Sequence, residues 1–409
     1  MSNLESSVLG LELDPGDHRA LGQRLGLFHF QDAAPGMVFW HPRGFAMVRA
    51  LEEAVRRQLA LHQYREVRTP QVLRRPVWEA SGHWEHFSDG MMRIADPGGV
   101  EAALKPVSCP GHAQIVGRRA PSWRELPIRL AEFGVVHRDE PSGTLHGLLR
   151  LRQFTQDDGH LFCADEHVVP EIERFARSVA PFYRALGFPD VRVVLSTRPK
   201  IRAGDDASWD RAEAWLARAA AVAELQVALA PGGGAFYGPK LEFVLRDRLG
   251  RDWQCGTLQV DLVMPARFDL RYAARSGERP HVVMLHRALL GSVERFLGVV
   301  LEQHGAELPA WLAPDQVAVL PVEPAQREEA LALAAALRSA GLRVVVDDDD
   351  ENLGPRIARS RVRADPFAVI VGARDLAAGV VTVRSRSDEG PVPRDQVVDR
   401  LARACTPPV

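Results

Sequence analysis

Three side chains of the kinds that hold a borderline metal ion stand at Cys109, in LKPVSCPGH, at His160, in TQDDGH, and at His286, in VVMLHRALLGS. One thiolate and two imidazoles make an incomplete zinc sphere, with a fourth position open to substrate or water. They are scattered along the chain, so spacing alone does not define a metal site. Each taken singly reads first as a buried cysteine or a satisfied histidine. Asp158, two residues before His160, reads by itself as a solvated turn acid, and His83, in SGHWEHF, as a packing histidine beside Trp84. Of 51 basic residues only Lys105, Lys200 and Lys240 are lysine. Coding bias accounts for such an excess of arginine; a lysine is a compact point charge without the planar fork, so the three that remain are candidates for places where that difference counts. The run GGGAFYG has neither phosphate-loop nor dinucleotide spacing and reads as a flexible turn before a strand.

The elements that must carry these residues are legible in part. Gly44 to Tyr64 has apolar residues at helical spacing with charges on the other face, which predicts a long amphipathic helix leading into a short strand, REVRTPQVL, that contains Pro70. LPIRLAEFGVVHRDE and LLRLRQFTQDDGHLF read as two strands of a hairpin-like pair. A helix is expected from about Glu166 to Leu186, then the strand VRVVLS, an Ala-rich helix from Trp209 to Leu225, and strands KLEFVLRD and WQCGTLQVDLVM. HRALLGSVERFLGVVLEQHG reads as one last helix. Strands with helices inserted, antiparallel where turns are short, describe an α+β domain. The segment Leu308 to Pro314 has the proline content of a linker, and beyond it strands and helices alternate as in a small α/β domain.

A length of 409 residues favours two domains of unequal size. No apolar run reaches the roughly 18–20 residues of a membrane span, and the N-terminus has no signal core, so a cytoplasmic protein is expected, with no membrane partner. Four scattered cysteines exclude a disulfide framework, and a net charge of -2 provides no global attraction to RNA.

Together, the words around these residues resemble the catalytic core of the threonyl-tRNA synthetases, class II aminoacyl-tRNA synthetases. The resemblance runs from about Asp17 through KPVSCPGH, AEFGVVHRDE, LRQFTQDDGHLF, AFYGPKLEF, WQCGTLQVD and HRALLGSVERF, in the family's order, and continues less strongly to the C-terminus. It implies a class II antiparallel sheet over residues 17–307 after a tail of 1–16, a linker at 308–314, and an anticodon-binding-like α/β domain over 315–409. It assigns zinc to Cys109, His160 and His286, with threonine's amino nitrogen and hydroxyl completing the sphere. Gln156, Asp158, Tyr237, Cys255 and Gln259 would line the threonine pocket. Arg138, Glu140, Arg150, Gln254 and Arg295 would hold ATP with magnesium, and Arg138, Arg295, Lys240 and His83 would carry catalysis, His83 by helping to deprotonate the tRNA ribose. A homodimer is implied.

Departures from the family pattern shape the remaining expectations. About 16 residues precede the core, so the editing region is expected to be absent, and serine, one methyl smaller than threonine, is expected to be charged in part. Val107 and Ser108 stand where the family has a Met-Asn pair, and Ala364 where it has an arginine. The run from Asp347 to Asn352, DDDDEN, either faces RNA and repels it or forms a solvated loop. Arg384 and Glu351 are the candidates for anticodon contact. The leading expectation is threonine activation and transfer to threonine tRNA. The alternative is a paralogue that passes threonine to a carrier protein or serves as a resistance copy, and a non-catalytic module is disfavoured.

Overall fold

The computed structural model describes residues 13–95 and 98–407. They divide into two compact units. One draws its described residues from Met1–Gln31, Phe39–Ala54 and Val300–Val409, and the other from Asp32–Val38 and Val55–Val299.

The second unit is built on an eight-stranded sheet. Its strands run in the order Val227–Ala230, Val191–Ser196, Lys240–Arg246, Asp252–Asp261, Val283–Ser292, Gln153–Cys163, Ile128–His137 and Arg65–Glu66. Every pairing is antiparallel except those of the two edge strands. The two expected hairpin strands, Ile128–His137 and Gln153–Cys163, pair along ten positions. The helix Asp165–Ala185 packs against the sheet with Val168, Ile172, Phe175, Val179 and Phe182 buried, the three- and four-residue spacing of one helical face. Asp165 and Glu166 in its first turn complement the positive end of the helix dipole. A second helix, Asp206–Val222, starts where the Asp205 carboxylate accepts the Ser208 amide at 2.7 Å. REVRTPQVL is two short strands in different sheets, Arg65–Glu66 and Val72–Arg74, separated at Pro70, which has no amide to donate.

One expectation fails here with a clear physical cause. HRALLGS is the end of the strand Val283–Ser292, and the helix begins only at Val293, running to His304. The strand lies mid-sheet, buried at eight successive residues from Val283 to Leu290. Covered on both faces, it shows no apolar–polar alternation, and a run apolar but for His286 and Arg287 cannot be told from a buried helix by period alone.

In the first unit a five-stranded sheet has the order Val344–Val346, Val317–Pro321, Phe367–Val371, Val380–Arg384, Glu389–Pro393, parallel over its first three strands and antiparallel thereafter. Alternate residues build its two faces: Val317, Val319, Val369 and Val371 meet Leu333, Leu337 and Leu401, while Ala318, Leu320 and Ile370 meet Leu353 and Ile357. Residues 308–314 form packed turns with Trp311 and Leu312 buried, fastened by Arg343, whose guanidinium donates to the carbonyls of Trp311, Ala313 and Pro314. Among the described residues no helix is long and apolar enough to cross a membrane.

Candidate active site

Register places the chemistry. Lys240 is paired with Gln259, Gln259 with His286, and His286 with His160, so one row crosses four strands. Directly opposed residues of an antiparallel sheet share a face, so these four side chains stand on the same side. Period two along the strand adds Asp158 and Gln156 to that face and turns Asp157 to the other.

Cys109 reaches the row from the first position of the helix Cys109–Val116. Its sulfur and one ring nitrogen each of His160 and His286 lie within 4.8 Å of one another, all three residues buried. Ligand atoms of a tetrahedral zinc lie roughly 3.3–3.8 Å apart, given Zn–N near 2.1 Å and Zn–S near 2.3 Å, so the trio fits one such ion. His160 Nε2 and His286 Nδ1 are 3.0 Å apart and face the shared space. The other His286 nitrogen, Nε2, donates to the buried Asp261 carboxylate at 3.0 Å, leaving Nδ1 with its lone pair free to ligate. Burial pushes the His160 imidazole down, keeping it neutral, and pushes the Cys109 thiol up, an effect that a bound dication reverses. Tyr237 lies against His286, ring centroids 4.9 Å apart, and Asp158 lies 3.5 Å from His160 Nε2.

Beside the trio opens a cavity of about 260 Å³. Arg138, Glu140, Arg150, Gln254 and Arg295 line it, and so do Gln156, Cys255 and Gln259, which brings the expected nucleotide residues and much of the expected amino-acid set together. Arg138 is held between Phe154 and Phe87, with its guanidinium carbon 5.0 and 5.7 Å from the ring centroids. Arg150 donates to Glu140 at 2.9 Å and Arg295 to the Leu149 carbonyl at 2.9 Å. The amide oxygens of Gln156 and Gln259 and the Ser108 hydroxyl are buried without a hydrogen-bond partner. Buried polar atoms are rarely left so, and the two glutamine oxygens belong to residues that line the cavity, where a polar ligand could meet them.

The other expected residues lie at differing distances from this cavity. Lys240 shares the histidine row, is paired with Glu242 at 2.6 Å, and does not line the cavity. His83 is buried, with Phe236 and Tyr237 as ring neighbours. Ser81 Oγ donates to the Trp78 carbonyl and accepts from His83 Nδ1 at 2.9 Å, and burial brings the imidazole down to about 3. Far along the chain, in the first unit, Arg384 pairs with Glu389 at 3.3 Å and Glu351 pairs with Arg359.

The aspartate run is a mostly exposed loop, with Asp349 to Asn352 in solvent and Asp347 buried at its start. Asp347 is buried and bonded to Arg359 at 2.7 Å, Asp348 pairs with Arg327, and Asp349 also pairs with Arg359. Arginines of the same unit partly offset the acid of this loop, through exposed pairs that are individually weak.

Several groups that matter here carried no signal in the sequence. His112 Nδ1 lies 2.8 Å from His160 Nδ1, and its Nε2 lies 3.3 Å from Glu132, which also binds Lys105 at 2.7 Å. Burial raises the Glu132 carboxyl, but hydrogen bonds from His112, Lys105 and Thr69 outweigh it and hold the group at about 2. Asp157 accepts the amides of Leu289, Leu290 and Gly291 at 2.6 to 2.9 Å, and Glu294 accepts that of Thr155 at 2.8 Å. The CPGH and VERF words name His112 and Glu294 only as neighbours of stronger candidates, whereas their roles depend on strands far away in sequence.

Residues 92–304 match the tRNA synthetase class II core domain (G, H, P, S and T), and residues 316–403 an anticodon binding domain. The chain is 46% identical over 392 residues to a threonine–tRNA ligase of Laribacter hongkongensis and 45% identical to that of Herminiimonas arsenicoxydans, alignments that cover 95% of this chain. It spans 62% of the length of those relatives. Among solved structures it superposes on the RNA binding domain of threonyl-tRNA synthetase from Cryptosporidium parvum with a TM-score of 0.91 at 36% identity, covering 95% of this chain and 98% of that one. A putative threonyl-tRNA synthetase from Aeropyrum pernix gives 0.81 at 28% identity, covering 95% and 97%. With a core model spanning more than half of its length and a relative matched almost end to end, the chain belongs to the class II tRNA synthetases, among the threonyl-tRNA synthetases.

Proposed function

We propose that the chain joins L-threonine to ATP as threonyl-adenylate in this cavity and passes the threonyl group to the terminal ribose of threonine tRNA. The reading rests above all on one observation: three buried ligands converge within 4.8 Å on the same sheet row as an arginine-lined cavity. Cys109, His160 and His286 would hold zinc, which supplies a Lewis acid for an amino nitrogen and a hydroxyl together. A methyl cannot replace that hydroxyl, so valine loses a metal bond and not merely a methylene contact. Gln156 and Gln259 turn unpaired amide oxygens toward the amino acid, and Asp158 is placed to accept from its ammonium or hydroxyl.

The threonine carboxylate attacks the α-phosphorus and pyrophosphate leaves, so the protein's task is positioning and charge neutralisation. Arg138, already desolvated between two rings, would grip the α-phosphate, and Arg295 would meet the adenine and the outer phosphates, with magnesium accompanying ATP. Glu140 orients Arg150 at the rim, with Gln254 beside it. His83, donating through Nδ1, keeps its Nε2 lone pair and would accept the ribose proton in the transfer step once bound tRNA has relieved the dry setting that holds it at about 3. Arg384 and Glu351 would meet the anticodon, and two copies of the chain would form a homodimer. Residues 17–307 would do the chemistry and 315–409 the RNA reading.

Threonine-dependent exchange between ATP and pyrophosphate tests the first step, and no exchange with zinc supplied would refute it. Charging of a threonine tRNA transcript tests the second. Robust exchange with no charged tRNA would move the acceptor to another molecule, such as a carrier protein.

A further inference from the structure

We propose that His112, Glu132 and Lys105 form a positioning chain that fixes His160 in the one tautomer able to bind a metal through Nε2. The proposal rests on the zinc reading of the trio given above. All four side chains are buried: Lys105 is 1% exposed, Glu132 3%, His112 0% and His160 1%. Glu132 accepts from the Lys105 ammonium at 2.7 Å, from the Thr69 amide at 3.0 Å and from the Thr69 hydroxyl at 2.8 Å. Surrounded by donors and beside a fixed cation, it is an ionised carboxylate, and such a group only accepts. The contact of 3.3 Å to His112 Nε2 therefore needs a proton on that nitrogen. When His112 carries that one proton only, its Nδ1 holds a lone pair, and the 2.8 Å contact there has His160 donate from its own Nδ1. The lone pair of His160 is left on Nε2, the atom that faces His286 Nδ1 at 3.0 Å.

The opposite arrangement would let His160 donate from Nε2 to His286 Nδ1, the contact a metal ion replaces, but it sets acceptor against acceptor at Glu132. With the proton on His112 Nδ1, its bare Nε2 would face a carboxylate oxygen in a dry interior. His160 would accept at Nδ1 and turn an N–H toward the place of the metal. A buried lysine–glutamate pair is seldom a net source of stability. Here the pair sets the direction of two hydrogen bonds, and it does so with one of the chain's three lysines. His112 is thus a positioning residue: it touches no substrate and acts through His160.

The test compares zinc affinity, measured by chelator competition, and the visible spectrum of the cobalt-substituted protein, in the full chain and three variants. His112→Phe keeps a ring and removes both nitrogens. His112→Asn keeps an acceptor near the Nδ1 position, and His112→Gln keeps only a donor near Nε2. We expect zinc affinity in His112→Phe to fall about 10- to 100-fold with a changed cobalt spectrum. His112→Asn should recover most of both and His112→Gln should not. Wild-type affinity and spectrum in His112→Phe would overturn the chain. If that variant does not fold, His112→Gln binding zinc as tightly as His112→Asn would overturn it. A wild type that takes up no zinc would instead overturn the reading of the trio, and the chain with it.

Discussion

Lys105 and Glu294 are both buried ionisable groups. Lys105 has Glu132 and Thr69 as partners, and Lys105→Met would leave the Glu132 charge in a dry interior with fewer donors. Breaking one side of a buried pair costs about 3–5 kcal/mol, so the urea midpoint of Lys105→Met should fall steeply while that of Lys200→Met at an exposed site stays within about 0.5 kcal/mol of wild type. Equal midpoints would contradict this account. Burial raises Glu294 from its ordinary value to about 7. The folded state therefore holds this proton more tightly than the unfolded chain, so the associated stability is complete below about pH 4.5 and is lost as pH rises through 7, by roughly 3 kcal/mol at most. Glu294→Gln should flatten the unfolding profile over that window, and parallel profiles for the two proteins would refute the assignment.

The segment that links the histidine row to Arg295 decides the shape of the site. Register between the strands Val283–Ser292 and Gln153–Cys163 shifts between Ala288 and Ser292. Asp157 gathers three amides of the bulged stretch, and Gly291 turns through a φ of +80°. A Cβ there would stand 2.8 Å from the Cys255 carbonyl oxygen, a backbone atom with little room to move. Gly291→Ala should lower stability by about 1–3 kcal/mol and raise the KM for ATP more than it lowers kcat, read by pyrophosphate exchange. An unchanged KM would sink the claim that this bulge sets the cavity. The bulge also explains what the sequence could not convey. The hairpin strands show alternation and are easily read. HRALLGS is buried on both faces as far as Leu290, so its period is hidden, and the trio becomes a site only through register. His112, Glu132, Asp157 and Asp261 sit in words that gain meaning from partners on other strands, which no local pattern encodes.

Across the whole molecule, cohesion of the first unit depends on contacts between segments distant in sequence. Arg43 donates to Asp315 at 2.9 Å, to the Arg363 carbonyl at 2.7 Å and to the Leu25 carbonyl. One planar fork thus joins the N-terminal segment, the start of the small sheet and the end of the helix Leu353–Val362. Arg43→Ala should destabilise this unit by about 2–3 kcal/mol, and Arg43→Lys should recover only part, because an ammonium cannot reproduce the fork. Hydrogen exchange at amides of the small sheet would register the loss, and unchanged exchange there would count against the claim. The domain pattern was readable as an order of strands and helices, whereas this tie was not. The setting of the three lysines has a practical corollary. Lys105 is buried, Lys240 is paired with Glu242, and Lys200 is exposed. Guanidinium groups ignore acylating reagents at neutral pH, so among side-chain amines a dye or surface linker carrying an active ester should attach at Lys200, with the α-amino group its one competitor, and leave the arginine-lined cavity unmodified.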